Sequence, residues 1–173
     1  MSHHREDDVL PTSIRLELTS TTAHALVRHA FDQMLLVAEG LGEPQIHQRP
    51  LGPTTNAVGS LIVHCCAVTE FWLGHVALRR PSDRDREAEF SAVETLNDLR
   101  RRVAICVATA SQDLERIAVG EGGGDNGARE FLPGTDRSDV AVVLYVLKEL
   151  FQHLGHIELA ADALRLPPDT ALR

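Results

Sequence analysis

The sequence predicts an all-α protein built as a four-helix bundle. Its apolar residues are mainly Ala, Leu and Val, and aromatic residues make up only 4% of the chain, a composition that favours helices over a β-sandwich. Four stretches repeat apolar side chains at helical spacing and are separated by Gly, Pro and charged segments. Because 173 residues suffice for one hydrophobic core, a single bundle is the expected architecture.

Each predicted helix ends at a recognisable breaker. The helices cover residues 22–41, 55–79, 92–119 and 139–164. Gly42 follows the first, Pro81 follows the second, a glycine-rich segment follows the third, and Pro167 follows the fourth. These limits divide the chain into a polar N-terminal leader (1–20), the bundle (21–166) and a C-terminal tail (167–173).

Charge and cysteine content exclude several classes of protein. The formal net charge is −8 without a run of Lys and Arg, which argues against a nucleic-acid or an anionic-membrane partner. We find no signal peptide and no uninterrupted apolar run of about 20 residues. Three cysteines, an odd number, do not suggest a secreted disulfide framework. The sequence therefore predicts a cytoplasmic protein.

The segment "GEGGGDNGARE" could be mistaken for a phosphate-binding loop. It follows a helix instead of a strand, lacks the Lys-Ser/Thr pair of a Walker loop, and carries acidic residues that repel phosphate. We predict a flexible surface loop here.

The last predicted helix carries an unusual polar strip. Glu149, His153 and His156 share the helix face that continues through Val142 and Val146, a face predicted to be buried. Burying a carboxylate and two imidazoles is costly unless they are paired, protonated or bound to a cation. Something must therefore satisfy these three groups.

His64 on the second predicted helix points towards the same core. Glu149 and His153, one helical turn apart, can bind one ion while His64 reaches it from its own helix, which gives two imidazoles, one carboxylate and an open coordination position. The alternatives are a satisfied polar core or a helix edge that faces solvent. Cys65 and Cys66 leave the helix in other directions and are predicted to be small buried hydrophobes.

Three segments together resemble the DinB-like superfamily. They are "VAEGLGEPQIHQRPLGPTTNAVGSLIVHCCAVTEFWLG", "DREAEF" and "LKELFQHLGHIELAADAL". The closest branch is the mycothiol-dependent maleylpyruvate isomerase and mycothiol S-transferase group. This resemblance implies an up-down four-helix bundle with a long crossover and a divalent metal, zinc first, with nickel or iron as alternatives. The family's metal ligands match His64, Glu149 and His153. In one departure, Thr69 stands where the branch commonly has an acidic residue.

The resemblance also implies a function. We expect a metal-dependent thiol S-transferase or isomerase-like enzyme, in which the metal activates a low-molecular-weight thiol such as mycothiol for attack on a small electrophile. His156 is the candidate catalytic residue, as a proton carrier or a substrate contact. DinB-like proteins often pair, which implies a homodimer. The alternatives are a non-catalytic metal-binding bundle in stress response or ligand sensing, and a metal-free helical interaction protein.

Overall fold

Helices provide all the regular secondary structure in residues 18–123 and 127–166, the part of the chain that the computed structural model describes. This confirms the predicted all-α class. Most of the predicted N-terminal leader and all of the predicted tail, 167–173, lie outside the described residues.

The described chain contains six α-helices, one π-helical segment and one 3₁₀ turn. In chain order they are α1 (Ser20–Leu41), α2 (Glu43–Ile46), α3 (Val58–Thr69), the π segment (Glu70–Ala77), α4 (Arg86–Ser91), α5 (Leu96–Ala118), the 3₁₀ turn (Ala128–Phe131) and α6 (Asp139–Arg165).

Side-chain caps fix where the three longest helices begin. Thr19 accepts a hydrogen bond from a backbone N–H of the first turn of α1, Thr95 does the same for α5, and Ser138 does so for α6. Such caps satisfy backbone donors that have no partner inside the helix. These helices begin within about four residues of the predicted starts.

The long helices pack in a pattern that places α3 at the centre of the fold. α1 contacts α5 and α6, while α3 contacts α4, α5 and α6. Eleven of the twelve residues of α3 are buried, so its polar side chains have no route to solvent except through a cavity. The helix that carries His64 therefore lies directly against the helix that carries Glu149 and His153.

The second predicted helix changes its winding at Glu70. From Glu70 to Ala77 the backbone is a π-helix, a rare conformation that is often found at functional sites. The wider turn redistributes side chains that a continuous α-helix would place about 100° apart. Phe71 and Trp72, consecutive in this segment, both line one cavity.

Val58–Ala77 and Asp139–Arg165 are long and apolar enough by composition to span a membrane, although each lacks an uninterrupted apolar run. In Val58–Ala77, 78% of the most apolar window is buried inside the protein, as expected for the core helix of a globular fold. Such composition is weak evidence for a membrane span.

Candidate metal centre

His64 is the most deeply buried of the predicted ligands, with 3% of its surface exposed. Its Nδ1 lies 2.6 Å from Oε2 of Glu89, and its ring stacks on Phe90 at a centroid distance of 4.5 Å. Burial lowers the pKa of His64, although the hydrogen bond to Glu89 opposes this shift. A neutral imidazole beside an ionised carboxylate must donate from Nδ1, which leaves the lone pair on Nε2 available to a ligand.

Glu89 enters the core because the charged link after the second predicted helix forms a helix of its own. Asp85 caps α4 by accepting from the backbone N–H groups of Glu87 and Ala88. Arg84 then binds Glu89 with two hydrogen bonds, of 2.6 and 3.0 Å. Burial acts to raise the pKa of Glu89, but the hydrogen bonds from Arg84 and His64 outweigh it and hold the pKa below its usual value. Glu89 is therefore ionised at neutral pH.

His153 faces His64 across the contact between α3 and α6. The two rings meet edge to face, with centroids 4.8 Å apart. Nδ1 of His153 is buried and has no hydrogen-bond partner among the described residues. Burial, reinforced by His64, lowers the pKa of His153 to about 4. The structure thus holds two neutral imidazoles together, and one of them has an unsatisfied nitrogen.

Glu149 lies one turn before His153 and completes the predicted set. Its Oε2 is 3.7 Å from Nε2 of His153, and its Oε1 accepts a hydrogen bond of 2.6 Å from Lys148. Burial acts to raise the pKa of Glu149, but the hydrogen bond from Lys148 and further contacts with Tyr145 and His153 lower it overall. A carboxylate anion therefore stands beside the imidazole of His153.

The structure brings His64, Glu149 and His153 to the lining of one cavity, but their donor atoms do not surround a single point. Within residues 18–123 and 127–166, no group of three or more His, Cys, Asp or Glu side chains is positioned to hold a metal ion. The chemistry of the donors nevertheless suits a divalent ion, because two neutral imidazoles and one carboxylate match zinc. A metal ion would also give the Nδ1 of His153 the partner that it lacks among the described residues.

His156 does not share the buried environment predicted for it. Its side chain is exposed, and its ring centroid is 6.3 Å from that of His153. The buried face of α6 centres near Leu150, from which His153 is about 60° away around the helix and His156 about 120°. His153 and Glu149, with 17% and 15% of their side chains exposed, lie at the edge of that face. The inward placement of His156 was therefore wrong.

The three cysteines are free and buried, as predicted. Burial raises the pKa of the Cys65 and Cys66 thiols far above the usual value. The Cys106 thiol makes a long contact of 3.8 Å with the backbone oxygen of Cys66. These thiols are unsuited to serve as nucleophiles or metal ligands.

A cavity of about 460 Å³ opens beside the two histidines. It is lined by the three predicted ligands, by two arginines of the segment around α4, and by apolar and aromatic residues: His64, Val68, Phe71, Trp72, Arg84, Arg86, Ala128, Phe131, Tyr145, Glu149 and His153. Small molecules can therefore reach the candidate metal centre.

Sequence reasoning missed Glu89 and the two arginines. "RDREAEF" belongs to the charged segments that separate the predicted helices, whereas in the structure Glu89 is buried and Phe90 is half-buried. The Asp85 cap and the carboxylate four residues after it were the available signals for a short helix. Thr69, the departure from the branch pattern, is also buried, and its hydroxyl donates to the backbone oxygen of Cys65 at 2.9 Å.

These features define a helical protein with a candidate metal centre where α3 meets α6, open to a small cavity. The chain belongs to the mycothiol S-transferase family, whose family model matches residues 22–165. This match confirms the resemblance to the mycothiol-linked branch. Searches of curated proteins and of solved structures gave no match.

Proposed function

We propose that the protein is a metal-dependent mycothiol S-transferase, or a related isomerase-like enzyme, built on a DinB-like up-down four-helix bundle with a long crossover. One observation carries this proposal: in a member of the mycothiol S-transferase family, the ring centroids of His64 and His153 lie 4.8 Å apart beside a cavity, and a buried nitrogen of His153 has no hydrogen-bond partner within the described part of the chain.

His64, His153 and Glu149 would hold the metal, with zinc the first choice and nickel or iron as alternatives. A divalent ion bound there lowers the pKa of a thiol that reaches it and so supplies a thiolate at neutral pH. A metal requires a neutral imidazole and an ionised carboxylate as ligands. His64, with a lone pair on Nε2, and Glu149 already have these protonation states.

Glu89 acts on the site through His64. By accepting the Nδ1–H of His64, it fixes the tautomer and the orientation of the ring, as carboxylates do behind metal-binding histidines. Arg84 in turn holds Glu89 in place with two hydrogen bonds. We assign to His156, exposed on the same helix with its ring centroid 6.3 Å from that of His153, the role of a proton carrier or substrate contact.

The reacting thiol must come from outside the chain, because all three cysteines are buried in the core. A low-molecular-weight thiol such as mycothiol fits this requirement, and a small electrophile is its partner in the reaction. Such a thiol and three reduced cysteines are both consistent with a cytoplasmic enzyme.

The test is spectroscopic. We expect cobalt-substituted protein to develop a sulfur-to-metal charge-transfer band when mycothiol is added, and we expect a Cys65→Ser, Cys66→Ser, Cys106→Ser variant to develop the same band. Consumption of mycothiol together with an electrophile then establishes the transferase reaction. A spectrum that no thiol perturbs would overturn the proposal and favour the sensing or structural alternative.

A further inference from the structure

Aromatic side chains are concentrated around the candidate metal centre. The whole chain has five Phe, one Trp and one Tyr. Phe71, Trp72, Phe131 and Tyr145 line the cavity, and Phe90 stacks on His64. Only Phe31 and Phe151 lie elsewhere. In a chain this poor in aromatic residues, the clustering indicates a cavity shaped for a flat, conjugated ligand.

The ring of Phe131 is an exposed part of the aromatic lining of the cavity. It ends the 3₁₀ turn and lines the cavity, yet 78% of its surface is exposed. The turn itself is anchored, since Arg129 is buried and donates to the side chain of Asp139 and to the backbone oxygen of Arg137. A ligand that covered this fixed, exposed ring would remove apolar surface from water.

The charges that line the cavity favour an anion. Glu149 is the single carboxylate of the lining and accepts a hydrogen bond from Lys148, while the guanidinium of Arg84 is engaged by Glu89. Arg86 differs, because it has no carboxylate partner among the described residues. Its guanidinium carbon lies 5.9 Å from the centre of the Phe90 ring, which in turn stacks on His64.

We propose that this cavity binds an aromatic carboxylate, with the ring held among Phe71, Trp72, Tyr145 and Phe131 and the carboxylate held by Arg86. The ring packs on the aromatic wall, and the guanidinium offers the paired donors that suit a carboxylate. A role for this ligand as a substrate of the transferase rests on the function proposed above, and no bond-forming step is part of the present proposal. Binding itself requires neither a thiol nor turnover.

The test compares benzoate with benzamide, which has the same shape without the charge. Trp72 is the one tryptophan of the chain and lines the cavity, so its fluorescence reports on binding, and calorimetry gives the affinities. We expect benzoate to bind more tightly than benzamide to the protein as purified. Arg86→Gln should weaken benzoate binding about tenfold and leave benzamide unchanged, since a partly exposed charged contact contributes at this level.

Two variants complete the design. Arg28→Gln removes the same charge from an exposed position on α1, outside the cavity, and should bind benzoate as the unsubstituted protein does. Phe131→Ala should weaken the binding of both ligands. Both variants retain any bound metal. A difference between their benzoate affinities is therefore due to the guanidinium of Arg86.

The proposal is overturned if benzoate does not bind, if benzamide binds equally well, or if Arg86→Gln behaves like Arg28→Gln. None of these results bears on the cobalt spectrum with mycothiol. A wrong ligand class and a wrong reaction can therefore be told apart.

Discussion

At the scale of single residues, the candidate site depends on keeping two imidazoles neutral next to ionised carboxylates. A buried histidinium would be stabilised by Glu89 or Glu149, yet burial prevails, and the pKa values of His64 and His153 are both lowered. Neutral imidazole is the form that binds metal. Burial of the site thus prepares its ligands as well as excluding water.

Glu89 gives the first residue-scale prediction. Glu89→Gln removes the charge that orders the Nδ1–H of His64, so metal affinity should fall by about 10- to 100-fold. Competition with a chromophoric chelator measures this affinity. Glu87→Gln is the matched control, since it lies on the same short helix with an exposed side chain, and it should leave metal affinity unchanged. Equal effects of the two changes would show that Glu89 does not act through His64.

His153 gives a prediction about pH. Its pKa is about 4 in the folded protein, against 6.5 without the protein environment, so the unfolded chain binds the proton more readily between these values. The free energy of unfolding of the metal-free protein should therefore be highest above about pH 6.5 and should fall as the pH drops towards about 4. Urea unfolding at several pH values in the presence of a chelator measures this slope.

The control for this titration is on the same helix. His153→Gln should reduce the slope in this pH window without removing it, because His64, whose pKa is also lowered, still contributes. His156→Gln, which removes an exposed ring, should leave the slope as it is. Glu89 and Glu149, whose pKa values are lowered, affect stability only at more acidic pH, below their ordinary value of 4.5. A slope that His153→Gln does not change would place the titrating group elsewhere.

At the scale of elements, the end of the π segment is joined to α5 by an ion pair whose carboxylate is buried and whose guanidinium is partly exposed. Arg80, just after the segment, donates two hydrogen bonds of 2.8 Å to the carboxylate of Asp113, which is 2% exposed. The guanidinium passes so close to Gly74 that an added Cβ would meet it at 2.0 Å. A larger residue at position 74 would therefore have to displace this guanidinium, and the pair fixes the end of the helix that carries Phe71 and Trp72.

Removing one partner of this pair should be costly. Arg80→Ala leaves the buried carboxylate of Asp113 without its ion-pair partner, and because Arg80 is itself partly exposed, we expect a loss of about 1 to 2 kcal/mol in the free energy of unfolding. Arg101→Ala removes an exposed guanidinium paired with Asp98 and should cost at most about 0.5 kcal/mol. Denaturant titration compares the two. Similar losses in the free energy of unfolding for the two variants would mean that the pair of Arg80 and Asp113 does not hold the π segment to α5.

The elements also show how far the sequence alone can predict this fold. The long helices were predictable because Leu99, Val103 and Val107 on α5, for example, repeat at helical spacing and all become buried. The π segment was not, since residues 70–77 continue the apolar spacing of the predicted helix and no pattern in them marks a change of winding. Nor was α4, because six residues are too few for a periodic pattern to emerge.

The candidate site also has features that the sequence could predict and features that it could not. His64 could be predicted to point inward because apolar residues surround its helix on every side. The hydrogen bond between His64 and Glu89 could not be predicted, because the two residues are 25 positions apart and no periodic pattern predicts the course of the segment between them. His156 was misplaced because the sequence identifies a strip of the helix but not where its buried face ends.

At the scale of the whole molecule, the predicted metal would join distant parts of the chain. His64 is on α3, whereas Glu149 and His153 are on α6, and these two helices pack against each other in the centre of the fold. An ion held by all three ligands binds the folded state alone, because the unfolded chain does not bring them together. Metal binding should therefore stabilise the entire protein by mass action.

This linkage gives the last prediction. With free zinc at about one hundred times its dissociation constant, the folded state gains about 2.7 kcal/mol, which corresponds to a rise in Tm of about 5 to 10 °C for a chain of this size. Differential scanning calorimetry with zinc and with excess chelator measures the difference. His64→Ala and His153→Ala should each abolish it, whatever their own effect on stability, because each variant serves as its own reference. His29→Gln, an exposed change on α1, should retain the full difference. If the difference persists in both alanine variants, the zinc that stabilises the protein is bound somewhere other than between α3 and α6.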